Sequence, residues 1–152
     1  MSQKMLRSIG YWNDPSAPDD LPDVRDFVRD GLSAEERDAV VAYLHTGTVF
    51  VASAGFSVCR VCGIRNGSTE LTDGEHFVWP EGLSHYVESH DVRLPEEVLA
   101  VARRGPARPI DPFTFERALF ETRALAIDER WWRRSLPAIM SRRDIQPTDN
   151  RQ

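Results

Sequence analysis

Both cysteines of this 152-residue chain, and three of its four histidines, fall between Cys59 and His90. The cysteines stand in Cys59-Arg60-Val61-Cys62-Gly63, and His85 and His90 follow with four residues between them. Two thiols and two imidazoles in the order C-x2-C … H-x4-H are the donor set of a closed zinc site. Zinc binds sulfur and nitrogen, and its structural sites fill four tetrahedral positions with protein. Gly63 permits the positive φ of a tight turn that aims backbone N–H groups at the sulfurs. Cys59, Cys62, His85 and His90 are the expected ligands and zinc the expected cofactor. His76 is the substitute if one of the other two histidines serves only as a cap.

Two other chemistries use the same residues. A redox C-x-x-C wants its first thiol at a helix N-terminus, where the dipole lowers its pKa. Here Gly63-Ile64-Arg65-Asn66-Gly67 reads as turn, so metal is favoured over redox. A catalytic zinc keeps one open position with a carboxylate base beside it, for which Glu88 or Asp91 would serve. Four protein ligands leave no such position. The chain carries no nucleophile elbow, P-loop or dinucleotide fingerprint, so no catalytic residue is assigned and the reading leans away from an enzyme.

Bringing Cys59 and Cys62 to His85 and His90 is the task of the elements around them. Ser33-Ala34-Glu35-Glu36 is a capping box that opens a helix over 34–45, with His45 as a surface cap in its last turn. Thr48 to Ser53 reads as a strand, and Phe56-Ser57-Val58 runs extended into Cys59. Asp73-Gly74 lies between two strand-like runs, the pattern of a hairpin. Pro80 at the first helical position, with Glu81 beside it in the first turn, predicts a helix over 80–89. On an ideal helix His85 and His90 point about 140° apart, so the helix must loosen near Glu88 and Ser89.

Further on, Val92 to Leu94 is extended, Pro95 opens a helix to Arg104, and Asp111-Pro112 starts another that runs to Leu125. Asp128 caps a short helix with Trp131 and Trp132. These two are adjacent, so one is buried while the other packs under the N-terminal arm or faces a partner. Prolines and aspartates make residues 1–32 an irregular arm, anchored by Ile9, Tyr11 and Trp12. Residues 33–140 form one zinc-stabilised domain, and 141–152 a disordered tail.

Composition allows one ordinary globular domain, 41% hydrophobic and 28% charged, with a net charge of −5. No apolar run could span a membrane, and no signal peptide opens the chain, so a cytoplasmic protein without membrane partners is expected. Between Phe56 and Leu94, Arg60, Arg65 and Arg93 face Glu70, Asp73, Glu75, Glu81, Glu88 and Asp91. Phosphate neutralisation needs clustered cations, so this acidic surround disfavours nucleic acid.

Knuckle, hairpin and helix in that order resemble a treble clef or an enlarged Cys2His2 finger. The H-x4-H followed by Leu94-Pro95 also resembles the single-finger bacterial regulators of the Ros type, although those surround the finger with basic residues. More specifically, C-R-V-C-G, L-T-D-G, W-P-E-G-L-S-H-Y-V-E-S-H-D-V-R-L-P and the early R-S-I-G-Y-W resemble an uncharacterised bacterial family of small proteins. That resemblance implies an intact domain and a zinc site, and brings no activity with it. The expected fold is α+β, a small antiparallel hairpin sheet with four or five helices around the zinc site. The expected function is a non-enzymatic interaction, adaptor or immunity-type protein whose partner is another protein. A nucleic-acid-binding regulator is the alternative, and a zinc-dependent hydrolase the third reading.

Overall fold

A computed structural model describes residues 3–17, 19–52 and 56–135. The chain is α+β, but its sheet is larger than a hairpin. Among the described residues five strands stand in the order β2-β3-β4-β1-β5, where β1 is Lys4–Ser8, β2 Thr48–Ala52, β3 Thr69–Thr72, β4 Phe77–Pro80 and β5 Leu125–Asp128. β2, β3 and β4 form an antiparallel meander, whereas β1 pairs parallel with both β4 and β5. Around them run helices α1 (Ala34–His45), α2 (Leu83–His90), α3 (Glu96–Ala102), α4 (Pro112–Phe120) and the one-turn α5 (Arg130–Arg133).

The sheet is covered on both faces, which explains why β4 reads as a continuous apolar run. Phe77 and Trp79 join the large core with Tyr43, Leu83 and Leu99, while Val78 between them joins a second core with Leu6, Phe50, Phe115 and Leu119. Alternation along a strand sends neighbours to opposite faces. Accordingly α1 and α2 pack on one side, and α4 on the other against β2 and β5.

The mixed sheet corrects three sequence expectations. The supposed irregular arm supplies β1, because K-M-L-R-S can bury Leu6 completely and lay its backbone between β4 and β5. The helix expected to start at Pro80 begins at Leu83, since Pro80 still pairs with Glu70 as the end of β4. Glu81 therefore caps no helix. Its carboxylate accepts from the N–H groups of Ser68 and Thr69 and from the Thr69 hydroxyl, pinning the entry of β3. The helix expected to reach Leu125 closes at Phe120, and the chain turns through Arg123 (φ 62°) into β5. Leu125 and Ile127 then pack on the second core, and strand pairing with β1 wins over the helical pattern.

Other expectations hold. Ser33 caps α1 by accepting the Glu36 N–H at 3.1 Å, which is one half of the expected capping box; the Glu36 carboxylate goes to Arg103 instead. Asp73 and Gly74 do turn the chain between β3 and β4, in a loop gathered by Asp73 Oδ1, which accepts from the N–H groups of Glu75, His76 and Phe77. Trp132 is the buried tryptophan of its pair, and its indole N–H donates to Tyr11 O at 2.7 Å. Trp131 is half-buried under the Arg7 guanidinium, 4.5 Å from the ring centroid. The tail over 141–152 lies outside the described residues.

Candidate metal centre

The cysteine knuckle is a small hairpin of its own. Ser57 and Asn66 exchange backbone bonds with the opposite limb, Val58 bridges Arg65, and the Cys59 N–H donates to Ile64 O at 2.9 Å. The turn closes where the Gly63 N–H reaches Cys59 O at 2.9 Å, with Gly63 at φ 80° as the C-x-x-C-G pattern requires. The N–H groups of Val61 and Cys62 both point at the Cys59 sulfur at 3.4 Å.

This hairpin docks on α2 at two points. The Asn66 side-chain amide donates to Gly82 O at 3.1 Å, and the Arg60 N–H donates to the Tyr86 hydroxyl at 2.8 Å. The approach at Gly82 is close enough to exclude any side chain, because a Cβ there would sit 2.3 Å from Asn66 O. Only glycine fits. From the other side, Trp12 stacks edge-on against Tyr86, Phe27 and Trp132, so the segment after β1 backs the helix that carries the histidines.

The helix loosens one residue later than expected. All of Leu83–His90 is helical, and Asp91 leaves it in the left-handed region (φ 53°), its N–H reaching back to Tyr86 O instead of Val87 O. Asp91 is held there by an ion pair with Arg37 at 3.0 Å, and its carbonyl accepts the Arg29 N–H. The widened last turn brings the two imidazoles together, 4.9 Å between centroids and at 85° to each other.

One candidate ligand atom from each of Cys59, Cys62, His85 and His90 lies within 4.8 Å of all the others. Cys62 Sγ and His85 Nε2 are 3.4 Å apart. Zinc bond lengths and a tetrahedral angle set that edge at about 3.6 Å. His90 Nε2 is buried and has no hydrogen-bond partner, which is costly for an imidazole unless something else uses its lone pair. A metal ion at the centre of the four would satisfy it. The four residues thus fit a metal ion by number, type, spacing and an orphaned buried donor atom.

Charge balance around the sulfurs agrees. Burial pushes the Cys59 thiol up, but hydrogen bonds from the N–H groups of Cys62 and Val61, and from the Cys62 and Tyr86 side chains, bring it below its ordinary value. Burial, and then the neighbouring His90, hold His85 below the ordinary imidazole value, favouring the neutral form that ligates. Tyr86 is the residue that sequence reading missed. Its hydroxyl is raised by burial and stays protonated, so it can donate to the sulfur while accepting from Arg60. Its position, next to His85 and four before His90 on one helix, was the available signal.

The remaining candidates go elsewhere. His76 does not join the cluster, its Nδ1 lying 2.9 Å from Asp73 Oδ2. His45 is exposed at the end of α1. Asp91 is paired with Arg37, and Glu88 is exposed on α2 with its charge close enough to act on His85. Among the described residues no helix is long and apolar enough to cross a membrane. Comparison with protein-family models, curated proteins and solved structures returns no match.

Proposed function

We propose that the protein holds one structural zinc ion through Cys59, Cys62, His85 and His90, and acts without catalysis by docking another protein on the zinc-stabilised knuckle. The observation that carries the docking is the knuckle's outer surface. Val58, Val61 and Ile64 are 44%, 46% and 50% exposed although each is a large apolar residue, and they sit on a turn whose shape the metal would fix. Clustered apolar exposure of this kind marks interaction surfaces. The regulator reading is disfavoured by the charges around the site, where Arg60, Arg65 and Arg93 stand against Glu70, Asp73, Glu75, Glu81, Glu88 and Asp91. A hydrolase would need an open metal position, which four protein ligands leave no room for.

The test is a photo-crosslinking residue at Val61 in the source cell, compared with the same probe in a Val58→Glu/Ile64→Glu background. A defined crosslinked partner that disappears in the double variant, while zinc content and melting stay unchanged, supports the reading. Crosslinks that ignore the double variant overturn it.

A further inference from the structure

On the loop side of the sheet, away from the two cysteines, three titratable side chains form a second cluster. Asp73 is almost wholly buried, its side chain 7% exposed, and its Oδ2 accepts from the Tyr43 hydroxyl at 2.6 Å and faces His76 Nδ1 at 2.9 Å. Burial would raise this carboxyl, but hydrogen bonds from Tyr43, the N–H groups of His76 and Glu75, and the His76 ring together hold it below its ordinary value. A carboxylate fixed in this way orients the imidazole and makes Nδ1 the proton-bearing nitrogen. That leaves Nε2 of a 36% exposed ring for something outside the protein.

His76 lines a pocket of about 300 Å³ together with Asp73, Tyr43, Glu75, Arg104 and Arg108. That volume is at the small end of what ligand pockets occupy. The arginines come from the end of α3 and the loop after it. This loop is built: the Gly105 N–H returns to Ala102 O, and the Ala107 N–H donates to the Thr46 hydroxyl at 2.8 Å. Among the described residues neither Arg104 nor Arg108 forms an ion pair, although Arg103 beside them is shared between Glu36 and Glu96. Asp73 is already occupied by Tyr43 and His76. With the His76 ring protonated, its charge offsets that of Asp73, and the pocket sets two guanidinium groups, without an ion pair among the described residues, against one remaining carboxylate, Glu75.

We infer that this pocket is an anion site for a phosphoryl group, held by Arg104, Arg108 and the Asp73-oriented His76. Two guanidinium groups and, when the ring carries its second proton, the His76 Nε2–H are three separate donors; they call for at least three acceptor oxygens, which a phosphate or phosphate monoester has and a carboxylate lacks. Guanidinium forks match such oxygens in pairs. Free phosphate and a phosphate ester share this chemistry, and glycerol phosphate beside inorganic phosphate separates them. The site does not depend on the metal, and neither arginine supports the core.

The experiment is a calorimetric and NMR titration of the zinc-loaded full chain with inorganic phosphate and with glycerol phosphate, at constant ionic strength. Saturable binding that perturbs the His76 ring is expected. Replacing both arginines (Arg104→Ala/Arg108→Ala) should weaken it at least about tenfold, since charge-assisted hydrogen bonds are the strong ones. Glu75→Gln should act in the opposite direction and tighten it. Tighter binding of the ester would assign the site to a phosphorylated ligand, and equal or weaker binding to free phosphate. Absence of saturable binding of either anion, or binding that the arginine pair and Glu75→Gln both leave unchanged, would overturn the assignment.

Discussion

Cys59 feels two opposed effects: burial disfavours its thiolate, and two N–H groups aimed at the sulfur favour it. The second wins, as a metal ligand requires. His85 is likewise held below its ordinary value, by burial first and then by His90. Both shifts have the same consequence for pH. Where a folded-state pKa lies below the unfolded one, the unfolded chain binds more protons, so stability rises with pH across that window. Acidification should therefore destabilise the site, through Cys59 from the ordinary thiol value downward and through His85 from the ordinary imidazole value downward, and proton competition should release the metal below about pH 6. Zinc retention measured by dye competition across pH 4–8 checks this (roughly the span over which imidazole and its neighbours titrate). Retention that stays flat to the acid end would be inconsistent with imidazole ligands. Tyr86 would act on a bound metal through Cys59 and not directly. Tyr86→Phe should keep one zinc per chain but weaken its affinity by about 10–100-fold, as loss of an outer-sphere hydrogen bond commonly does. An affinity equal to wild type in the same competition assay would show the hydroxyl to be incidental.

Two elements make the site, and their junction is narrow. The knuckle hairpin and the first turn of α2 touch at Gly82, where a Cβ would meet Asn66 O at 2.3 Å. Gly82→Ala should push the knuckle off the helix, costing more than the roughly 1 kcal/mol typical of a surface change and lowering metal affinity with it. Denaturant melts with and without zinc measure both quantities, and a neutral result in each would mean the junction yields freely. The knuckle was legible in the sequence because C-x-x-C-G is a local signal, its geometry fixed by residues within one turn, and the clustering of Cys59 and Cys62 with His85 and His90 followed from their donor types. The strand order was not legible, because parallel pairing of β1 with β4 and β5 joins residues far apart in sequence. K-M-L-R-S has too little apolar character to announce a strand flanked on both sides. Pro80 misled for a related reason. Proline suits both a first helical turn and a strand end, and the buried run Phe77-Val78-Trp79 carried it into the sheet. Tyr86 was hidden because its partners are set by tertiary approach, whereas the Asp73–His76 pair is local, three residues apart within one turn.

Across the whole molecule the metal would join parts that the sheet does not. β3 and β4 lie within the span from Cys59 to His90 and are held between β2 and β1, so strand pairing can survive without zinc. The knuckle cannot: between Ser57 and Gly67 it buries Cys59 but exposes Val58, Val61 and Ile64, and it has no core of its own. α2 depends on Trp12 and Leu44 at its back and on the cysteines at its front. Structural zinc contributes on the order of 10–16 kcal/mol of apparent binding energy in finger peptides, comparable to the roughly 5–15 kcal/mol that stabilises a whole domain. Thermal melting of the purified protein with and without a strong chelator tests this account most directly. One zinc per chain before treatment, and a fall in Tm of at least about 10 °C on its removal, is the predicted result for a chain of this size. A chelated protein that has lost its zinc and melts at the original temperature would contradict it.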